Sequence, residues 1–170
     1  MEAMQEHKPG QTRLRWAQAG AAAALWCLPA LVLTLPTEAY LAEQLDEVDP
    51  QRVHAVREAA RGQLARELAA DWAWAFDAHQ DNGAYQPDPV SSGRRSLSAL
   101  ALGMLAEHAR ESGDSVWPGK AFQRTKDAGN MTDRYAATAA LANAGHALAQ
   151  PALARFHDLF ADDALVIDKW

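Results

Sequence analysis

Cysteine is almost absent from this sequence: Cys27 is the only one among 170 residues. An intrachain disulfide and a cysteine-rich zinc site are therefore excluded. A reducing, cytoplasmic compartment fits this composition. Clusters of basic residues are lacking as well, because the 16 lysines and arginines are dispersed and the formal net charge is −6. Nucleic-acid binding has no electrostatic basis on such a surface, and we expect none.

Metal-binding motifs are missing too. The six histidines are scattered along the chain: His7, His54, His79, His108, His146 and His157. No HExxH pair occurs, and Met104 stands where the inverted motif around Glu107-His108 needs its second histidine. Scattered histidines of this kind are more often packing or surface residues than ligands. The sequence therefore predicts no metal ligand in this chain.

Nucleophile and acid–base signatures are equally lacking. Ser91-Ser92-Gly93 has neither the glycine pattern nor the preceding strand of a hydrolase elbow, and no glycine-rich phosphate loop is present. Acidic clusters at Asp46 to Asp49 and at Asp162-Asp163 flank expected helix starts, where carboxylates cap amides and face solvent. We predict no catalytic and no cofactor-binding residue in this chain.

What the sequence does contain is helix-forming material. Ala, Leu, Glu and Arg are plentiful, whereas Val, Ile and Thr are sparse, and this balance favours helix over strand. The predicted helices run approximately over residues 36–45, 50–79, 94–110, 120–127, 133–150 and 151–160. Residues 96–108 also resemble residues 135–147, which lie 39 positions later. The predicted fold is all-α, with antiparallel helical hairpins stacked as a short solenoid-like array.

The longest predicted helix has the strongest amphipathic pattern. Asp49 is a natural N-cap, and Pro50 follows at the first helical position, where its missing amide costs nothing. Apolar residues then recur every three or four positions, which predicts one inward-facing stripe. The stripe consists of Val53, Val56, Ala60, Leu64, Leu68, Trp72 and Phe76. Trp74 points away from it, and we expect Trp74 to contact another domain.

The stretch from Asp127 to Arg134 has the pattern of one helix ending and another beginning. Gly129 can adopt the left-handed conformation that closes a helix. Thr132 offers a side-chain oxygen to the next helix, and Asp133 places negative charge at its positive end. We predict a tight helix–helix junction with Gly129 as the stop and Thr132 as the cap.

An uncharged run from Ala17 to Leu35 follows Lys8, Arg13 and Arg15. A basic flank before an apolar core is typical of a signal peptide or membrane anchor, which would place the protein in the membrane or periplasm. The alternative is a buried alanine-rich helix broken at Pro29, since the more strongly apolar part from Leu25 to Leu35 is too short to span a bilayer.

Several short motifs resemble one known family. They occur in the family's order at Leu35 to Gln44, Asp49-Pro50, Val56 to Ala59, Arg94 to Leu97, Asn130 to Arg134 and Leu165 to Trp170. Together they resemble the C-terminal helical domain of bacterial aminopeptidase N. The similarity covers residues 28–170, so residues 1–27 are predicted to be a lead-in outside the family, partly disordered or an apolar helix.

This resemblance implies an accessory role in a zinc metallo-aminopeptidase that removes N-terminal residues from peptides. In that family the zinc ligands and catalytic glutamates belong to a separate catalytic domain, and their motifs are not in this sequence. The resemblance therefore implies no cofactor in this chain and zinc in the full-length enzyme. The expected partner is the catalytic domain, over which the helical domain closes to wall the chamber that peptides enter.

The family pattern continues past the end of this sequence, which predicts a partial domain that is inactive alone. An apolar edge near Val166, Ile167 and Trp170 would then lack its cover, and we expect self-association there. Two other hypotheses remain open. One is a free-standing helical-repeat module that binds proteins, and the other is a small secreted or membrane-anchored helical protein that uses Ala17 to Leu35.

Overall fold

The computed structural model describes residues 30, 32–81 and 83–169. Eight helices, and no strand, lie within these residues. They are α1 (Glu38–Glu43), α2 (Pro50–Glu67), α3 (Ala69–Ala78), α4 (Pro89–Ser112), α5 (Val116–Asp127), α6 (Met131–Asn143), α7 (Ala149–Phe160) and α8 (Ala164–Ile167). The predicted all-α class is confirmed.

The helices are arranged as a short array around α4 and α6. Helix α4 contacts α2, α3, α5 and α6, while α6 contacts α4, α5 and α7. From α4 onward, consecutive helices are joined by loops of three to five residues, so neighbours run antiparallel and form the hairpins α4/α5 and α6/α7. Helices α4 and α6 carry the two similar sequence segments and lie side by side, as expected for stacked repeats.

Small side chains allow these helices to approach closely. Ala101, Ala121, Ala137 and Ala152 are completely buried where neighbouring helices meet. Leucines fill the remaining space, and Leu102, Leu105 and Leu141 are at most 1% exposed. Burying each leucine stabilises the fold by about 1.5–3 kcal/mol relative to leaving it in water. Helix α4, which contributes Ala101, Leu102 and Leu105, is therefore the centre of the core.

The predicted helix over residues 50–79 is wrong in one respect, because it breaks at Leu68. The backbone there has φ −107° and ψ 21°, outside the helical region. The Trp72 indole nitrogen donates to the Leu64 carbonyl oxygen at 3.0 Å, and the same oxygen also accepts the Leu68 amide at 3.2 Å, so the indole ties α3 to the last turn of α2 at the bend. The break turns α3 so that Trp72 and Phe76 enter the core.

The first half of the predicted stripe is not buried by the described residues. Val56 is 63% exposed and Val53 only half-buried, whereas Gly62 and Ala65 are buried on α2 instead. The pattern predicts one continuous helix, whereas the turn at Leu68 separates its two halves. Trp74 is 67% exposed, as predicted, with its ring edge-on to His79 at 5.7 Å. Its expected contact with another domain stays a prediction.

The first residues of the helices agree better with the positions of capping side chains than with the predicted helix bounds. The Asp49 carboxylate accepts the Arg52 amide at 3.1 Å, which confirms the predicted cap of α2. Helix α4 begins five residues earlier than predicted, because Asp88 accepts the amides of Val90 and Ser91 ahead of Pro89. Hydrogen bonds from the Ser91 hydroxyl and amide lower the pKa of Asp88 below its ordinary value.

Two other predicted bounds were wrong. Helix α5 begins at Val116 rather than Lys120, with Pro118 in its first turn, where a proline needs no amide partner. Helix α6 ends at Asn143 rather than near Gln150. Gly145 takes a left-handed φ of 63° just after it, and the Leu148 amide donates to His146 Nδ1 at 3.1 Å. These two features turn the chain into α7.

The α5–α6 junction exists where it was predicted, but its chemistry differs. Gly129 has no positive φ, so it does not close α5 in the left-handed conformation. The cap of α6 is Asn130, whose side-chain oxygen accepts the Asp133 amide at 2.9 Å. Thr132 lies inside the helix and is exposed. Asn130 rather than Thr132 is the cap because its backbone is still extended, and from that position its side chain reaches the first amides of the helix.

Most of the run from Ala17 to Leu35 lies outside the described residues, as do the lead-in at residues 1–27 and Trp170. Its described end contributes Ala30 and Leu33 to the core. Within the described ranges, no helix has the length and apolarity needed to cross a bilayer. The domain boundary at residue 28 stays a prediction.

Candidate functional site

A polar cleft of about 390 Å³ opens where the loop after α3 meets the α5–α6 junction. Its lining residues are Asp81, Gly83, Ala84, Tyr85, Arg124, Asp127, Ala128, Gly129, Asn130 and Asp133. The cleft is therefore built from the junction stretch singled out in the sequence and from a loop that precedes α4. The buried Arg95 and the partly buried Arg124 organise it.

Arg95 holds the loop after α3 onto α4. Its side chain is 5% exposed and forms an ion pair with Asp81 at 3.0 Å. The same guanidinium donates to the Gln86 carbonyl oxygen at 2.9 Å and to Ser92 Oγ at 3.1 Å. The ring of Tyr85 lies over it, 4.6 Å from the guanidinium carbon. A planar fork with several donors suits this task, since it joins a carboxylate and a carbonyl in one plane.

Arg124 on α5 joins two other elements in the same way. It forms an ion pair with Asp133 of α6 at 3.2 Å and donates to the side-chain oxygen of Gln80, just after α3. Gln80 in turn donates to Ser98 Oγ on α4 at 3.3 Å. Asp133 is 5% exposed, and Asn130 Nδ2 also donates to it at 3.0 Å. A buried carboxylate with two such donors is well compensated for its lost hydration.

Arg134 completes the junction from the opposite side. Its guanidinium donates to the carbonyl oxygens of Thr125 at 2.8 Å and Lys126 at 2.9 Å. These carbonyls belong to the last turn of α5, where intrahelical partners run out. Because one cation satisfies both, the chain passes from α5 to α6 without a left-handed residue.

Most charged side chains of the cleft are already paired with neighbouring side chains. Asp81 and Asp133 face arginines, and the Asp127 carboxylate accepts from Gln123 Nε2 at 2.6 Å. None of the lining residues is a serine, cysteine or histidine that could act as a nucleophile or general base. The arrangement locks helices in place through these pairs.

The histidines are not brought together in the described part of the chain. His54 Nδ1 lies 2.7 Å from a Glu38 carboxylate oxygen, His79 Nδ1 lies 2.8 Å from the Ala75 carbonyl oxygen, and His146 accepts a backbone amide. Across residues 30, 32–81 and 83–169, no three His, Cys, Asp or Glu side chains are grouped so that they could hold a metal ion. The acidic residues Asp49 and Asp163 serve as helix caps.

Sequence reasoning missed the two arginines. Each partner is distant in the chain: Asp81 lies 14 residues before Arg95, and Gln80 lies 44 residues before Arg124. The one signal was that Arg94 to Leu97 and Asn130 to Arg134 both carried the family resemblance. In the structure, Arg95 pairs with Asp81 and Arg124 pairs with Asp133, and both aspartates line the polar cleft.

A second concave surface lies on the outer side of α2, α4 and α6, with a volume of about 350 Å³. Its floor contains small residues, including Ala99, Gly103 and Ala139. Arg57 and Arg61 line one side and Tyr135 lines the other. This outer groove is shallow and largely apolar, as a protein or peptide contact surface would be.

Comparison with known proteins gives one family and several relatives. The family model described as "Domain of unknown function (DUF3458_C) ARM repeats" matches residues 18–170. Aminopeptidase N of Escherichia coli is 32% identical over 143 residues, which are 84% of this chain and 16% of that protein. Aminopeptidase N of Caulobacter vibrioides is 30% identical over 142 residues, 83% of this chain and 16% of that protein.

A solved structure supports the same architecture. Legionella pneumophila aminopeptidase A, in complex with aspartic acid, superposes with a TM-score of 0.71 at 22% identity. The match covers 97% of this chain and 20% of the Legionella chain. At that identity the likeness shows the fold alone. The chain thus corresponds to about one sixth of the length of the two aminopeptidase N sequences.

Proposed function

Because this chain belongs to the family described as "Domain of unknown function (DUF3458_C) ARM repeats", we propose that it is the accessory, chamber-forming part of a zinc-dependent aminopeptidase. The parent enzyme would remove N-terminal residues from peptides. The resemblance to the C-terminal helical domain of bacterial aminopeptidase N, inferred from short motifs, is confirmed by the family match and the relatives.

The observation that carries the proposal is where the motifs that resemble the aminopeptidase N family lie in the structure. Arg95 and the stretch from Asn130 to Arg134 build the buried network that fixes α3, α4, α5 and α6 against one another. A wall that encloses a chamber must hold its curvature without help from substrate. A network of partnered, buried charges supplies that rigidity, because breaking any one pair leaves an uncompensated charge.

The zinc of such an enzyme does not fit the described residues, which group no three potential ligands. The metal and the catalytic groups therefore belong to the remainder of the parent enzyme in this proposal, and this chain is inactive alone. Its partner is the catalytic domain, and peptides meet it only in the assembled enzyme. A cytoplasmic location, consistent with a single cysteine, is also part of the proposal.

An activity assay and a chimera test this role. The isolated chain, given zinc, is expected not to hydrolyse alanine p-nitroanilide; measurable turnover would contradict the proposal. In the chimera, this chain replaces the 143-residue matching region of the Escherichia coli enzyme. We expect the chimera to fold and hydrolyse the same substrate, while deletion of the region abolishes soluble enzyme. A chimera no better than the deletion would also count against the role.

A second function is favoured by the outer groove of α2, α4 and α6. Its apolar floor and flanking arginines suit an extended protein segment. In this alternative the chain is a free-standing helical-repeat binding module. A chimera without activity, combined with groove-dependent binding of proteins by the isolated chain, would favour it. The variant Gly103→Phe would fill the groove, since nothing lies within 4 Å of a Cβ added there.

Self-association is the remaining partner proposal. Val166 and Ile167 are half-buried on α8, and Leu165 beside them is 77% exposed. An exposed apolar edge of this kind favours contact between copies. Sedimentation velocity over a range of concentrations tests it: Leu165→Asp should lower the sedimentation coefficient at high concentration toward that of the monomer. A concentration-independent monomer in the unmodified chain contradicts it.

A further inference from the structure

A large groove lies where α1 packs against the start of α2, apart from the polar cleft. Helix α1, the linker after it and the first turns of α2 surround about 620 Å³. Its apolar lining includes Leu41, Leu45, Val48, Val53 and Val56. We refer to it as the α1–α2 groove. Its walls are fixed by the contact of His54 with Glu38 and by the hydrogen bond from Arg57 Nε to the Pro36 carbonyl oxygen.

The floor of the α1–α2 groove is apolar and uncovered by the described residues. Leu45 is 49% exposed, Val48 is 44% exposed and Val56 is 63% exposed. Val53 and Val56 also belong to the amphipathic stripe that the sequence predicts to be buried. A stripe with the periodicity of a core face, left open along one groove, indicates that another segment packs there.

The charge at the rim of the groove indicates which kind of segment can bind there. Residues 38–52 contain five carboxylates and only one basic residue, Arg52, so their formal net charge is −4. Two of the five carboxylates, Glu47 and Asp49, line the groove itself, and Asp46 directly precedes Glu47 in the chain. A complementary occupant combines large apolar side chains with positive charge.

The chain itself contains such a segment outside the described residues. Between positions 7 and 29 there is no Asp or Glu, and Lys8, Arg13 and Arg15 give a formal charge of +3. Leu14 and Trp16 alternate with the arginines, and Leu25-Trp26 follows an alanine-rich stretch. This segment joins the described chain at residue 30, eight positions before α1 begins. Fourteen residues can span up to about 45 Å, so the groove is within reach.

We propose that residues 13–26 of this chain occupy the α1–α2 groove, with the arginines at its acidic rim. The segment would bury the exposed leucine and valines, and its tether gives it an effective concentration in the millimolar range or above. The assignment needs no other domain, and it is independent of the proposed enzyme role.

Paramagnetic NMR on the full 170-residue chain tests the assignment. A nitroxide is attached at Gln18→Cys in a Cys27→Ser background, which removes the only native cysteine. We expect strong loss of the amide signals of Leu45, Val48 and Val53 in the groove. Amides on α7 such as that of Leu159, at the far end of the array, should keep their intensity. Unchanged groove signals would overturn the proposal.

Charge reversal then tests whether opposite charges direct residues 13–26 to the α1–α2 groove. Arg13→Glu/Arg15→Glu should weaken the docking equilibrium roughly tenfold, and Asp46→Lys/Glu47→Lys should do the same. Asp49 is left intact because it caps α2. Combining the two double substitutions should restore docking to within about threefold. The matched control, Arg155→Glu/Lys169→Glu, makes the same charge change on a distant surface and should have no effect.

Two results would reject this occupant. If the combined variant fails to recover docking, the opposite charges do not direct it. If spin-labelled chains without ¹⁵N broaden the groove signals of unlabelled ¹⁵N chains, the groove is filled by a second copy instead. Restored docking in the combined variant, with no broadening between chains, would establish the intramolecular contact.

Discussion

The polar cleft and the α1 region are held to the rest of the molecule by different means. At the cleft, Arg95 and Asp133 are almost completely buried and each has several partners from different helices. Helix α1 contacts α2, and its ion pair between His54 and Glu38 has side chains that are 62% and 45% exposed. Buried charges are costly to break, whereas exposed ion pairs contribute little. We therefore expect the helices around the cleft to be rigid and the α1 region to be adaptable.

The largest contrast should come from the apolar core. Leu141 on α6 is completely buried, so Leu141→Ala leaves a cavity and should lower the free energy of unfolding by about 2–5 kcal/mol. Tyr40 on α1 is 55% exposed, and Tyr40→Ala should change it by no more than about 0.5 kcal/mol. Urea unfolding followed by circular dichroism measures both. Equal losses would show that α1 is part of the same core.

The next largest difference in stability should be between substitution of a buried arginine and substitution of an exposed one. Arg95→Met keeps the length of the side chain but leaves the Asp81 carboxylate without its cation, which should cost about 2–3 kcal/mol. Arg66 pairs with Glu111 at the surface, with side chains 49% and 31% exposed, so Arg66→Met should cost about 0–1 kcal/mol. The same urea titration compares the two variants. A larger loss for Arg66→Met would contradict the structural role given to Arg95.

The cap of α6 gives a smaller but sharper test. Asn130→Ala removes the side-chain oxygen that accepts the Asp133 amide and should lower stability by about 1 kcal/mol. Thr132→Ala should leave stability unchanged or slightly raise it, because Thr132 lies within the helix and alanine is the better helix former. Thermal unfolding of the two variants measures the difference. The reverse order would restore Thr132 as the cap.

The smallest effect should be a pH dependence confined to α1. The hydrogen bond to Glu38, then the charge of Glu38, raise the pKa of His54 above its ordinary value of 6.5; Glu58 adds to this, while Arg57 and partial desolvation oppose it. The stabilising contribution is therefore fully present below pH 6.5 and is lost as the pH rises through the higher folded pKa.

Hydrogen exchange of the α1 amides and an NMR titration of the His54 ring measure this effect. In the variant Glu38→Gln, the His54 pKa should return toward 6.5 and exchange in α1 should no longer depend on its titration. A His54 pKa that does not move in this variant would disprove the pairing.

The sequence was sufficient where structure depends on local chemistry. Asp49-Pro50 marked the start of α2, and the repeated segments marked the paired helices α4 and α6. It was insufficient where side-chain contacts decide. The bend at Leu68 lacks the glycine or proline that would have marked it, and coincides instead with the Trp72 indole donating to the Leu64 carbonyl oxygen. The cleft depends on Gln80, Arg124 and Asp133, whose partnership no short window contains.

The bridge made by Arg124 has a consequence for how the array unfolds. In a linear repeat protein each unit touches only its neighbours, so fraying begins at the ends and spreads unit by unit. Arg124 contacts Gln80, which lies 44 residues away, and Asp133 on the following helix. Unfolding of the segment that carries Gln80, or of the helix that carries Asp133, therefore leaves the same Arg124 guanidinium without one of its partners. Helices α3 to α6 should melt as one cooperative block, whereas α1 and α8, the first and last of the described helices, should fray before it.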